Sequence, residues 1–312
     1  MTADDALPEL AAMLPSDALL TDAGALEAYR RDRALDPAAG VPLVVALPRT
    51  TAEVQAVVRW AAAHGIPVVP RGAGTGLSGG ATAVDGGVVV STERMRNVRI
   101  DLGTRTATVQ PGLLNAEFKA AVAAEGLWYP PDPASFEICS IGGNIATNAG
   151  GLCCVKYGVT VDYVLGLEVV LADGRALRLG GALIKDVAGL PLVKLFVGSE
   201  GTLGVITEVT LRLLPAPPPQ RRVAAWFENI DAAASAIAEI STTIRPAMLE
   251  YMDRTCIDAV EDQLQLGLDR DAAALVLGGS DDLDPDGREV AFMIDAFRRH
   301  GATSVAEADH ER

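Results

Sequence analysis

The sequence predicts an α+β protein in two domains. Three observations carry this. A β-α-β unit is written between Pro42 and Pro70. Short β-rich runs separated by turn residues follow as far as Leu213. The run Pro215-Ala-Pro-Pro-Pro219 then stiffens the chain, and a second alternation of strand and helix begins beyond it.

Residues 1–40 are rich in Ala, Asp and Leu, with helical spacing at Leu7, Leu10 and Leu14, and read as a helical lead-in. Pro42–Leu47 is an apolar run of strand length. Thr50 precedes Glu53 in a capping-box pattern. Val54, Val57, Val58 and Ala61 then share one face of a helix over Ala52–His64, which Gly65 ends. Ile66–Pro70 is the next strand, followed by strands at Gly87–Ser91, Val98–Asp101 and Thr106–Gln110 and a helix over Asn115–Glu125. Trp128–Pro133 is extended. Val164–Leu171 and Ala176–Leu179 flank Asp173-Gly174, a strong hairpin signal. Val205–Leu213 ends the first block. Beyond the prolines, Val223–Phe227, Met248–Met252 and Ala272–Gly278 read as strands, and Asp231–Ile240 and Arg288–Arg299 as helices.

Composition excludes several functions. There are 26 Lys+Arg against 41 Asp+Glu, a net charge of −15. A phosphate-backbone binder needs a basic face, so nucleic acid is not an expected partner. No apolar run approaches the roughly 18 residues of a membrane-spanning helix, so no transmembrane segment is expected. The N-terminal MTADDALPEL is acidic where a signal peptide is basic. Cys139, Cys153, Cys154 and Cys256 form no Cys-x-x-Cys pair, which fits free thiols in a reducing cytoplasm.

Glycine-rich segments carry the functional signal. Gly74-Thr-Gly-Leu-Ser-Gly79 matches the dinucleotide fingerprint, with Asp101 at about the right distance for a ribose carboxylate. A Rossmann loop must open a helix, however, and Gly79–Gly87 is poor helix material leading into the strand Val88-Val89-Val90. Such a loop can still gather backbone N–H groups into an anion nest, with Arg71 at its mouth, or be an unadorned surface loop. Two further segments weigh against the second reading. Ile141–Gly151 combines small residues with the polar Asn144, Thr147 and Asn148, and Gly198–Gly204 is similar in character. Three such turns in one domain suit an extended ligand held at several points, such as a nucleotide-containing cofactor.

The segments PRGAGTGLSGG (Pro70–Gly80), PPDPAS (Pro130–Ser135), SIGGNIATNAGG (Ser140–Gly151), KYG (Lys156–Gly158) and LFVGSEGTLGVIT (Leu195–Thr207) occur in this order. Together they resemble the PCMH-type FAD-binding domain of the vanillyl-alcohol-oxidase superfamily. The branch they are most similar to holds the FAD-linked subunit of glycolate oxidase and the D-lactate and D-2-hydroxyglutarate dehydrogenases. The resemblance runs from about Val41 to Pro215. From Val223 onward, including RPAMLEYMD at Arg245–Asp253, the chain is similar to the start of that family's substrate cap. It implies a lead-in over 1–40, an FAD-binding domain of two α+β subdomains over 41–217, and part of an α+β cap over 218–312.

It also implies which residues hold FAD. Arg71, Gly72, Ala73, Gly74, Thr75, Gly76, Leu77 and Ser78 would wrap the pyrophosphate. Pro131, Asp132 and Ser135 would line the flavin and ribityl region. Gly142, Gly143, Asn144, Thr147 and Asn148 would meet the ribityl–phosphate chain and the flavin edge. Gly151, Glu200, Gly201, Val205 and Ile206 would complete the pocket. Where some superfamily members tether FAD through a His, this chain has Thr75, and the branch does not use a thioether to residues such as Cys153 or Cys154, so the cofactor is expected to be non-covalent. The implied reaction is oxidation of a small D-2-hydroxy acid by hydride transfer to FAD, with electrons passed to an iron–sulfur or other electron-transfer subunit, or to quinone. The implied location is the cytoplasm, or the inner face of the membrane through partners.

The chain departs from the family in lacking its C-terminal histidine motifs, which supply the base and, in some relatives, a metal site. His64 reads as a surface or satisfied histidine, and His300 and His310 as solvated. No cluster has metal spacing. Arg245 and Arg254 are candidates for a substrate carboxylate or members of a solvated face. The expectation is therefore the first portion of a longer enzyme, its catalytic residues unidentified, with a flavin-binding module lacking turnover as the alternative.

Overall fold

The computed structural model describes residues 3–284 and 286–308. The chain divides into two compact units. One comprises residues 1–150 and 159–215, the other 151–158 and 216–312.

The first unit opens with α1 (Ala3–Met13), β1 (Leu19–Leu20) and α2 (Ala23–Ala28), so its lead-in is helical but also supplies an edge strand. Next come β2 (Val44–Ala46), α3 (Thr51–His64), β3 (Val68–Arg71) and β4 (Val88–Ser91). Thr50 caps α3 by accepting from Glu53 N at 3.2 Å, while Glu53 accepts from the N–H of Arg49 rather than of Thr50. Gly65 ends the helix at φ +67°. The β-α-β unit is present with a change. Its strands are parallel, but the order is β1-β2-β4-β3, so β4 lies between β2 and β3. Val88, Val89, Val90 and Ser91 are buried throughout, and a strand apolar on both faces belongs at the centre of a sheet.

The second sheet of this unit uses β5 (Val98–Asp101) and β6 (Thr106–Val109). After them come α4 (Asn115–Ala124), β7 (Leu127–Trp128), α5 (Ile141–Ala146), and α6 (Cys154–Tyr157), which belongs to the other unit. The sheet is completed by β8 (Val164–Val170), β9 (Ala176–Gly180) and, after α7 (Leu192–Phe196), β10 (Val205–Arg212). β11 (Leu214–Pro215) pairs with β7. The order β5-β6-β10-β8-β9 is antiparallel throughout. The β8–β9 hairpin turns at Asp173-Gly174, with Gly174 at φ +78°.

Glu168 of β8 joins the two layers. Its carboxylate accepts from Thr51 Oγ1 at the start of α3 and from Thr207 Oγ1 at 3.0 Å, and pairs with Arg178 at 2.7 Å. Burial opposes its ionisation, but the two hydroxyls and the guanidinium outweigh burial and hold the carboxyl below its ordinary pKa. A depressed folded-state pKa gives stability that is present above the unfolded value, about 4.3, and is lost as pH falls through the folded value. Glu168→Gln is expected to lower unfolding free energy by about 1–2 kcal/mol at neutral pH. In urea titrations this gap should shrink in acid. A gap independent of pH would remove the charge from the explanation.

The second unit is a four-stranded antiparallel sheet in the order β13-β14-β12-β15. It is built from β12 (Arg221–Phe227), α8 (Ile230–Thr243), β13 (Met248–Asp253), α9 (Arg254–Leu264), β14 (Ala274–Ser280), α10 (Arg288–Arg299) and β15 (Ser304–Ala308). Val223, Ala225 and Phe227 alternate onto the face covered by α8 and α10, against Ile240, Met293 and Phe297. Trp226 and Leu275 pack on the other side with Ile257 of α9. The segment 151–158 docks onto this unit. Lys156 and Tyr157 both bind the buried Asp281 carboxylate, and Arg245 donates to Lys156 O at 2.9 Å. No helix among the described residues is long and apolar enough to cross a membrane.

Candidate functional site

The three glycine segments converge in the first unit on one cleft of about 930 Å³, part of it open to solvent. Its wall contains Arg71, Gly72, Ala73, Gly74, Thr75, Gly76 and Ser78 from the first segment. Ser135, and Gly142, Gly143, Asn144 and Thr147 from the second, also line it, as do Glu200, Gly201, Val205 and Ile206 from the third.

Strand β3 delivers the first loop, and no helix follows Gly79. Gly74 and Gly79 hold φ +70° and +83°, which glycine adopts without strain. Among the described residues, the backbone N–H groups of Gly74, Thr75, Gly76, Leu77 and Ser78 bond to no protein acceptor. Arg71 does not stand at the mouth of this loop. It is 8% exposed, and its guanidinium donates to Arg31 O at 3.0 Å and Ala81 O at 3.1 Å and lies over the Tyr29 ring. Burial lowers its pKa, with Asp32 and Tyr29 opposing. The cation is a strut under the loop, because a charge so buried takes the nearest carbonyls as partners.

The second segment forms the short helix α5, where glycine content suggested irregular backbone. Ser140 Oγ accepts from Gly143 N at its start and from Ala73 N in the first loop, each at 3.3 Å. A Cβ on Gly72 would come within 2.5 Å of that hydroxyl oxygen, and one on Gly142 within 2.4 Å of Pro111 Cβ. Asn144 is 3% exposed and lines the cleft. The third segment closes over the far end of α5. Gly198 N donates to Ile145 O at 2.9 Å and Glu200 N to Ala146 O at 2.8 Å, while Ser78 Oγ donates to Glu200 Oε2 at 2.7 Å. The three segments thus bond to one another directly.

Five of the expected residues are not on the wall. Leu77 is 79% exposed. Pro131 is buried, its carbonyl accepting from Asn115 Nδ2 at 3.3 Å, and Asp132 beside it does not line the cleft. Asn148, at φ +48°, accepts from Val161 N at 2.9 Å. Gly151 belongs to the second unit and donates to Cys154 Sγ at 3.0 Å. Conversely, Asp32, Thr92, Pro111, Pro133 and Gly204 line the cleft without having been expected to. Thr92, Pro111 and Asp32 sit in no glycine motif, so the sequence carried no signal for them.

The remaining candidates are occupied elsewhere. His64 is satisfied, by Trp60 O at 2.8 Å and Glu9 at 3.2 Å. His300 is not simply solvated, since its Nε2 meets Glu239 at 2.7 Å. His310 lies outside the described residues. Arg245 binds Lys156 O, and Arg254 binds Asp271 O at 2.6 Å and Ala272 O at 3.3 Å. Both guanidiniums are therefore used on backbone. The four cysteines are unbridged, and no group of three metal-ligating side chains occurs among the described residues.

A wall of free backbone donors, close-packed glycines and few charges suits a flat, elongated ligand with an anionic midsection. Comparison with known proteins agrees. Residues 42–180 match the family described as FAD binding domain, and residues 216–312 the family described as FAD linked oxidases, C-terminal domain. The chain is 47% identical over 239 residues to glycolate oxidase subunit GlcD of Bacillus subtilis (strain 168), covering 76% of this chain and 51% of that protein. It is 43% identical over 274 residues to the protein of the same name from Escherichia coli (strain K12), covering 86% and 54%. It is 36% identical over 289 residues to D-lactate dehydrogenase of Archaeoglobus fulgidus, covering 91% and 65%. The chain thus spans about half the length of the first two and less than two thirds of the third. A solved structure of alkyldihydroxyacetonephosphate synthase superposes with a TM-score of 0.82 at 23% identity, over 98% of this chain and 60% of that one, which shows a shared fold. The ordered glycine segments, their common cleft and these matches lead to one assignment: the chain belongs to the FAD-linked oxidases and carries their PCMH-type FAD-binding domain.

Proposed function

We propose that the cleft holds FAD non-covalently, and that the chain is the FAD-bearing part of an oxidoreductase acting on a small D-2-hydroxy acid such as glycolate or D-lactate. The observation carrying the cofactor reading is the run of unbonded N–H groups from Gly74 to Ser78, set in a wall where added Cβ atoms on Gly72 and Gly142 would collide with protein. Those donors suit a pyrophosphate. Ser135, Asn144, Thr147 and the third segment offer hydroxyl, amide and backbone groups to the rest of the molecule. Bound flavin would supply the hydride-accepting chemistry. Thr75, at the place of a covalent tether, has no side chain that could form one. The substrate class comes from the names of the relatives. A cytoplasmic location, in the interior or at the inner membrane face, and electron transfer to an iron–sulfur subunit or quinone complete the proposal. Residues 41–217 form the FAD domain in this reading and 218–312 part of the cap.

A second reading, a flavin-binding module without turnover, is favoured by one observation. The carboxylates on the cleft wall are Asp32 and Glu200, and no histidine is among its lining residues. Both readings expect the purified protein to show flavin absorbance and to release the flavin into the supernatant on acid precipitation. Flavin remaining with the precipitate would overturn non-covalent binding. A colourless, folded protein that does not take up added FAD would overturn the cofactor itself.

A further inference from the structure

Asp32 lies upstream of the matched FAD-binding segment, which begins at residue 42, yet it forms part of the cleft wall. It is 3% exposed. A carboxylate this buried requires hydrogen-bond partners, and two of its three partners belong to the end of the first glycine loop. Oδ2 accepts from Ala81 N at 3.3 Å, and Oδ1 from Thr82 Oγ1 at 3.3 Å. The third is Ala34 N at 3.0 Å.

Ala81 is gripped from both sides. Its N–H goes to Asp32, and its carbonyl accepts from the Arg71 guanidinium. Arg71 is also the residue from which the loop departs, fixed in its strand by the Thr92 N–H donating to its carbonyl at 2.9 Å. The same guanidinium reaches Arg31 O, one residue before Asp32. One carboxylate and one guanidinium therefore fix the end-to-end span of residues 71–81. The loop between them is held by few bonds, chiefly Ala73 N to Ser140 Oγ and the Ser78 hydroxyl to Glu200. Fixing the ends of a loop removes most of the conformational freedom that ligand binding would otherwise have to remove.

We propose that Asp32 is a positioning residue for the cofactor: through Ala81, and in concert with Arg71, it holds the first glycine loop in the shape that receives a pyrophosphate. Its own charge would repel phosphate, and its oxygens are engaged by the loop, so it acts on the backbone donors rather than on the anion. This inference rests on the reading that the cleft holds FAD.

The test uses the 312-residue protein stripped of flavin. FAD affinity is read from quenching of flavin fluorescence. ADP and lumiflavin serve as fragments carrying, respectively, the pyrophosphate and the ring. Asp32→Ala should weaken FAD and ADP binding about 30-fold, from the loss of two bonds to a charged acceptor, and leave lumiflavin within about twofold. Asp32→Asn keeps an acceptor oxygen for Ala81 N but gives up the charge, and should weaken FAD and ADP about fivefold, between the parent and Asp32→Ala. Parent-like ADP affinity in Asp32→Ala would overturn the inference, as would equal losses for ADP and lumiflavin. If Asp32→Ala does not fold, Asp32→Asn decides alone. A weakening of about fivefold confined to FAD and ADP supports the inference, and no weakening overturns it. A parent that binds no FAD overturns the cofactor reading and this inference together, whereas a binding parent with an indifferent Asp32→Ala overturns this inference alone.

Discussion

Gly74→Val is expected to abolish flavin retention, weakening FAD at least about 100-fold. Two costs act together. Gly74 is at φ +70°, where a β-branched residue is strained by about 1–2 kcal/mol. A Cβ there would stand 2.2 Å from Arg71 Nη2 and 2.7 Å from Cζ. The guanidinium cannot swing aside freely, because it is bonded to Arg31 O and Ala81 O. Either the loop or its strut must move, and together these costs reach about 3 kcal/mol. Gly76 provides the contrast. The nearest atom to a Cβ there is Asp32 Oδ2 at 3.9 Å, and its φ is not in the left-handed region. Gly76→Ala should therefore melt like the parent in its flavin-free form and still lose about tenfold in FAD affinity, since a methyl group would occupy the space the phosphate approaches. Parent-like affinity in both variants would remove this loop from the site.

Flavin reduction by the 312-residue protein is expected to be slow, by about 10²–10⁴-fold relative to a full-length relative such as the B. subtilis glycolate oxidase subunit. Oxidising a 2-hydroxy acid needs an acceptor for the hydroxyl proton. His64 and His300 are engaged by Trp60, Glu9 and Glu239 and do not line the cleft. Of the wall carboxylates, Asp32 is buried under three hydrogen bonds, and Glu200 accepts from Ser78. Anaerobic stopped-flow mixing of the FAD-loaded protein with glycolate, D-lactate and D-2-hydroxyglutarate gives the measurement. Stoichiometric bleaching at the relative's rate would show that a competent base lies in this chain.

Local rules made much of the fold readable. The cap at Thr50, the glycine end of α3, the hairpin at Asp173-Gly174 and the alternation of Val223, Ala225 and Phe227 each depend on residues close in sequence. Strand order did not. That β4 inserts between β2 and β3 follows from burial on both faces, which the β-α-β pattern alone does not express. α9 was missed although Ile257 and Leu264 have helical spacing, because polar residues dominate the segment. In the site, the glycine segments were legible because backbone geometry restricts the residue type. The position of Arg71 at the head of the loop places it at the mouth, whereas burial beneath Gly74 turns it inward. Asp32 was invisible because two of its three partners lie about fifty residues downstream, and two of the three are backbone groups that any sequence provides.

The docking of Lys156 and Tyr157 on Asp281 limits how this protein can be divided. A single cut at the proline run would appear to free a self-sufficient N-terminal module. The chain, however, has already contributed residues 151–158 to the other unit before returning at Val159. A polypeptide ending at Pro215 would keep a lysine and a tyrosine whose carboxylate partner had been left behind, with the cleft-lining Ala149 only two residues from the start of that segment. The two units are interleaved along the chain. Recombination or engineering that exchanges the second unit must carry eight residues from the middle of the first along with it.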